Sequence, residues 1–183
     1  MNALTIAAIA ASVVILLIIF IYNGLIRNRN QVKNAFSQID VQLKRRNDLI
    51  PNLIETVKGY LKHEQSVLEN ITKARSAVLA AETVGAKSKA SNMLSETLKS
   101  LFAVSENYPK LQANQNFLQL QEELTGTESK IAYARQHYND MVTAYDNSLE
   151  TFPNNAFAKM FGFKKEELFE AAEAERKNVK VQF

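Results

Sequence analysis

"VKNAFSQIDVQLKRRNDLIPNLIETVKGY", residues 32–60, is the stretch that decides the fold. Large apolar side chains recur in it at Val32, Phe36, Ile39, Leu43, Ile50, Leu53, Val57 and Tyr60. Steps of three and four residues keep them on one side of an α-helix, which is the spacing of a coiled-coil seam. Val67, Ile71, Ala74 and Val78 continue the same phase, so the seam is sustained over about six heptads. The reading is all-α, with a first long helix that ends near Ala81. Gly85, just beyond it, can take the left-handed conformation that commonly closes a helix.

Two charged residues occupy seam positions, Arg46 and Glu64. They stand roughly 27 Å apart on one helix and cannot pair with each other. Each needs a partner from another helix or must reach out to solvent. Arg46 is therefore expected to be buried against a carboxylate or carbonyl of a neighbouring helix. Arg45, one step off the seam, is expected to be more exposed. Pro51 also lies inside the seam without shifting its phase, which predicts one kinked helix rather than two. Its missing N–H frees the carbonyl of Asn47, for which Arg45 or Asn52 is the expected donor. The run "KRRNDLIPN" is the densest polar cluster of the chain. Lys44, Arg45, Arg46, Asp48, Pro51 and Asn52 are the candidate site, read either as a docking place for a partner or as structural provision for the kink.

Towards the N-terminus, residues 3–22, "ALTIAAIAASVVILLIIFIY", carry no charge, proline or glycine. As a helix they span roughly 30 Å, the thickness of the bilayer hydrocarbon. A secretory signal would need a basic leading segment and a small-residue cleavage site, and "YNGLIRNRN" offers no such site. An uncleaved transmembrane anchor over residues 1–26 is expected, in contact with lipid through residues 3–22, followed by a helical body over residues 27–183. Arg27, Arg29 and Lys33 follow the span and no Lys or Arg precedes it. The positive-inside rule then predicts a single-pass cell-membrane protein with its N-terminus outside and its body cytoplasmic.

Towards the C-terminus, Ala90, Met93, Leu94, Leu98, Leu101 and Phe102 stripe a second helix over residues 88–106, closed by Tyr108-Pro109. A third helix starts near Ala113, with a seam from Phe117 through Leu124, Ile131 and Tyr138 to Tyr145, and stops at Phe152-Pro153-Asn154. Gly126 within it marks a kink or a close helix approach. A short helical turn is expected around residues 156–161, with a break at Gly162. Residues 164–176 read as a last amphipathic helix burying Leu168, Phe169 and Ala172, and "VKVQF" as an extended tail. Short loops between striped helices imply an antiparallel bundle with long, coiled-coil-like helices.

Chemistry is scarce. With no cysteine, disulfides, thiolate metal sites and thiol catalysis are excluded. A net charge of +3 is too mild to imply nucleic acid. The tyrosines at helical spacing read as core side chains rather than as a stacking platform. The basic excess after the span reads either as a solvated helix face or as attraction to anionic headgroups. Carboxylate-bridged metal bundles need Glu-x-x-His, but Tyr60 and Ala134 stand where His63 and His137 would need the glutamate. His63-Glu64 lacks the second histidine of H-E-x-x-H, since position 67 is Val. No cofactor motif and no nucleophile–base motif is present.

The leading expectation is a non-catalytic, membrane-anchored scaffold or adaptor with an unidentified protein partner. The alternative is an enzyme or metalloprotein whose site forms only in three dimensions, from among His63, Glu64, Glu122, Glu123 and Glu128. Self-association into a homo-oligomer is a third expectation, because exposed stripes on long helices can pair.

"FSQIDVQLKRRNDLIPNLIETVKGYLKHE" (residues 36–64) resembles the signature of the LemA family of bacterial membrane proteins. The resemblance extends through "NFLQLQEELTGTESKIAYARQHYNDMV" (116–142) and "FPNNAFAKMFGF" (152–163) to "VKVQF". It implies an N-terminal anchor, an all-α bundle and a cytoplasmic body, and it transfers no catalytic residue.

Overall fold

The computed structural model describes residues 2–170. Among them every regular element is an α-helix: α1 (Ala3–Lys58), α2 (Gln65–Ala80), α3 (Val84–Ser105), the single turn α4 (Pro109–Gln112), α5 (Gln115–Glu150) and α6 (Asn154–Met160). The all-α bundle behind a long apolar N-terminal helix is therefore as expected. Apolar side chains of the first turns of α1, from Leu4 through Phe20, stand exposed along the whole span. Such a surface suits hydrocarbon and not water.

α1 leaves the span without a break, and burial begins at Ile21 and Leu25. It continues on the seam face through Val32, Ala35, Ile39, Leu43, Ile50, Leu53 and Val57. The helix also runs unbroken through Pro51. α5 lies antiparallel along it, with Phe36 against Tyr138 at 5.6 Å between ring centroids and Arg45 reaching Glu123. α5 is well started: the Asn114 side chain accepts hydrogen bonds from the N–H groups of Asn116 and Phe117.

The first helix does not continue to Ala81. It ends at Lys58, and residues 59–64 form a turn that buries Leu61 before α2 starts at Gln65. The polar run Lys62-His63-Glu64 keeps that corner soluble, and Gly59 sits there in the ordinary right-handed helical conformation. Glu64 therefore flanks α2 rather than occupying a seam position. The break also solves a geometrical problem, since one helix that long could not be matched by the shorter second one. α2 folds back and α3 returns alongside it, so that α1, α2, α3 and α5 make a four-helix bundle at the end remote from the span. Lys87 to Asp40 and Arg75 to the Asn47 carbonyl mark where this hairpin meets α1. Thr83 caps α3 by accepting from Ala86 N–H. Gly85 lies inside the first turn of α3 and closes no helix.

One of the two readings of Gly126 is removed, and one further expectation changes. Gly126 has nothing within 4 Å of where a Cβ would stand, so no helix approaches closely there. Residues 164–170 are not helical but form an extended strap. Phe169 is buried, as expected, whereas Leu168 is exposed; Ala172 and the tail "VKVQF" lie outside the described residues. The strap is extended because side chains of α3 and α5 hold its backbone. Asn139 donates to the Phe169 carbonyl at 3.1 Å and accepts from its N–H at 2.8 Å. Tyr138 Oη donates to the Glu167 carbonyl, Asp146 accepts from Glu166 N–H, and Ser88 Oγ donates to the Glu170 carbonyl. These bonds replace those that a helix would make internally. The strap covers the flank of α5 below the point where the α2–α3 hairpin stops.

Candidate functional site

The polar cluster on α1 divides into two populations by helix geometry. Arg46 faces the bundle and Arg45 stands about 100° away around the helix. Arg46 is 0% exposed. Its Nη1 donates to Glu128 Oε2 at 2.6 Å and to Ser95 Oγ at 3.0 Å. Its Nη2 donates to Ser91 Oγ at 2.7 Å. Ser95 Oγ in turn lies 2.7 Å from Glu128 Oε1, and Arg135 Nη2 donates to the Ser91 hydroxyl at 2.6 Å. One guanidinium thus ties α1 to α3 and α5 through a carboxylate and two hydroxyls. Burial pulls the Arg46 pKa down from its ordinary value, and the contact with Glu128 opposes that shift. A guanidinium retains its proton under such a pull, so Arg46 carries its charge in the core.

The carbonyl freed by Pro51 is also satisfied, though by neither expected donor. Arg75 of α2 donates its Nε–H to the Asn47 oxygen at 3.0 Å. That oxygen would otherwise accept from the N–H of residue 51, which proline lacks. A buried carbonyl needs a donor, and α2 supplies one because it folds back alongside α1. Arg45 instead reaches Glu123 across the surface at 3.2 Å, with side chains 49% and 40% exposed. Lys44, Asp48, Pro51 and Asn52 all lie exposed on the outer side of α1.

Ser91, Ser95, Arg75 and Arg135 were not singled out by the sequence reading. A signal existed: Ser88, Ser91 and Ser95 recur at helical spacing in α3, an unusual set of small hydroxyls on a core-facing stripe. Of the carboxylates considered for a three-dimensional site, Glu128 is engaged by Arg46 and Ser95, and Glu123 by Arg45. His63 and Glu64 sit in the turn between α1 and α2, remote from both. Among the described residues no three His, Asp or Glu side chains converge in a way that could hold a metal ion. Chemically, the cluster can crosslink helices and present a mixed-charge outer face.

Residues 35–183 match the LemA family. The chain is 27% identical to Protein LemA of Metamycoplasma hominis, over 86% of this chain and 72% of the relative. It is 23% identical to Magnetosome protein MamQ 2 of Paramagnetospirillum magneticum and 22% identical to Magnetosome protein MamQ of Magnetospirillum gryphiswaldense. Each of these alignments covers 81% of this chain, which spans only 64% of the length of those magnetosome relatives.

Proposed function

The chain belongs to the LemA family of membrane-associated helical proteins, and from that premise we propose that it is a non-catalytic scaffold, tethered by residues 3–22 with its body in the cytoplasm. The observation that carries this reading is the division of labour on α1. The inward polar groups, Arg46 and the Asn47 carbonyl, are consumed in holding helices together. Lys44, Asp48, Pro51 and Asn52 are left outward on a helix that the same bonds hold rigid. A rigid, exposed, mixed-charge stripe suits recognition of a protein surface, because little ordering entropy remains to be lost on docking. Arg27, Arg29 and Lys33 support the cytoplasmic placement. The MamQ relatives are named for a cellular structure, the magnetosome, and not for a reaction, which supports an assembly role.

A photocrosslinking residue placed at Lys44, Asp48 or Asn52, in cells, tests the docking face. The same product is expected from all three positions, and not from Lys73 on α2 or Glu96 on α3. Identical products at every position, or none from the stripe, would remove the support for docking. A product of twice the chain mass would identify the partner as a second copy.

A further inference from the structure

The end of the bundle nearest the span carries an exposed apolar edge that the scaffold reading does not use. Phe152, in the turn after α5, is 87% exposed; Met160 and Phe161, at the end of α6, are 63% and 43% exposed. In a water-soluble domain such a grouping is unfavourable. Its position accounts for it. Tyr22, the last residue of the apolar span, meets the ring of Phe161 edge-on at 5.0 Å and that of Phe163 at 5.9 Å. Burial of α1 by the bundle begins one residue earlier, at Ile21. α6 and its two flanking turns therefore sit at the level where α1 leaves the hydrocarbon.

Cations surround the same edge. Lys159 on α6 and Lys164 after it are exposed, and neither forms an ion pair among the described residues. Lys165 is held by Glu150. Arg29 stacks over Phe163 at 5.4 Å. Exposed aromatic and thioether side chains flanked by lysines are the composition of an interfacial membrane contact. There apolar groups enter about 5–10 Å into the headgroup boundary and lysines meet anionic headgroups.

We propose that α6 and its flanking turns form a second membrane contact, with Phe152, Met160 and Phe161 seated in the lipid interface and Lys159 and Lys164 on anionic headgroups. The occupant is lipid, because this edge is continuous with the span through the Tyr22–Phe161 contact. The contact would hold the bundle at a fixed angle and height on the bilayer, where a single helix alone would leave it free to tilt. This inference rests on residues 3–22 being a transmembrane anchor.

The absence of cysteine allows single-site labelling of the full chain. Phe152→Cys, Met160→Cys, Val14→Cys and Leu118→Cys would each carry an environment-sensitive fluorophore. The proteins would be reconstituted in phosphatidylcholine–phosphatidylglycerol vesicles containing lipids that carry quenchers at the headgroup or deep in the acyl chain. Blue-shifted emission at 152 and 160, quenched best by the shallow label, is expected, with Leu118 at the far end of the bundle unquenched. Replacing phosphatidylglycerol by phosphatidylcholine, or introducing Lys159→Gln with Lys164→Gln, should weaken the shallow quenching. Residues 152 and 160 behaving like 118 while Val14 is quenched by the deep label would overturn the proposal and leave the anchor standing. Blue-shifted but unquenched emission at 152 and 160 would assign the edge to a second protein chain and also overturn it. Failure of the deep label at Val14 would overturn the anchor and the proposal together.

Discussion

Replacement of Glu128 should destabilise the protein more than replacement of its buried partner. Arg46 is 0% exposed, whereas the Glu128 side chain is 38% exposed. Glu128→Ala leaves a guanidinium in the core with no counter-charge on it from Glu128, held by the hydroxyls of Ser91 and Ser95 and, at 3.4 Å, by the Ser91 carbonyl. An uncompensated buried charge of this kind costs about 3–5 kcal/mol. Arg46→Met removes the charge and fills much of the stem's volume, while Glu128, already at the surface, can turn to water. Ser95 keeps the Ser91 carbonyl within 3.1 Å, and Ser91 keeps its bond from Arg135. The remaining loss is that of imperfect packing and one or two neutral hydrogen bonds, about 1–2 kcal/mol. For a domain of this size each kcal/mol moves the melting temperature by about 2–4 °C. Thermal melts of the full chain in detergent, followed by circular dichroism, should place Glu128→Ala well below Arg46→Met. A double variant, Arg46→Met with Glu128→Ala, should recover much of the loss. An Arg46→Met variant as unstable as Glu128→Ala, or no recovery in the double variant, would refute the buried-charge explanation.

Arg45→Ala should change stability by less than about 1 kcal/mol, since its pair with Glu123 is solvent-exposed; a loss matching that of Glu128→Ala in the same melts would contradict this. Arg75→Met should cost about 1–3 kcal/mol by orphaning the Asn47 carbonyl, and less when Pro51→Ala restores a helical donor; a double-mutant cycle measures the difference. Asn139→Leu should free the strap, read as faster amide exchange at Phe169, with little change at α2. The Tyr138 phenol is pushed up to about 12, first by burial and then by Glu166, Glu167 and Asp146. The fold holds the neutral form, so its contribution is complete below about pH 10 and lost as pH rises through about 12. Tyr138→Phe should show a shallower fall in melting temperature across that window.

Arg46 was legible because a seam fixes phase, and a charge in phase with the core must be buried or bent outward. Its partners were harder to read, since Ser91, Ser95 and Glu128 belong to other helices whose register depends on where α1 stops. That stop was hidden by coincidence. The turn at residues 59–64 consumes nearly a helical repeat, so Val67 and Ile71 appear in phase with Val57 although they lie on a helix running the other way. The donor for Asn47 was missed for the same reason, because Arg75 approaches only when α2 folds back. The strap was misread because Leu168 and Phe169 fit an amphipathic stripe. Its conformation is decided by Asn139, Tyr138 and Ser88, distant in sequence. The long seams of α1 and α5 and the apolar span were legible because each carries its own periodicity or length.

The central claim is a helical body held in the cytoplasm by one N-terminal span. It is tested most directly by labelling Asn2→Cys and Asn52→Cys, one at a time in the cysteine-free chain, with a membrane-impermeant maleimide on intact spheroplasts. Labelling at residue 2 from outside, and at residue 52 only after the membrane is opened, is the predicted result; labelling of residue 52 on sealed spheroplasts would contradict it.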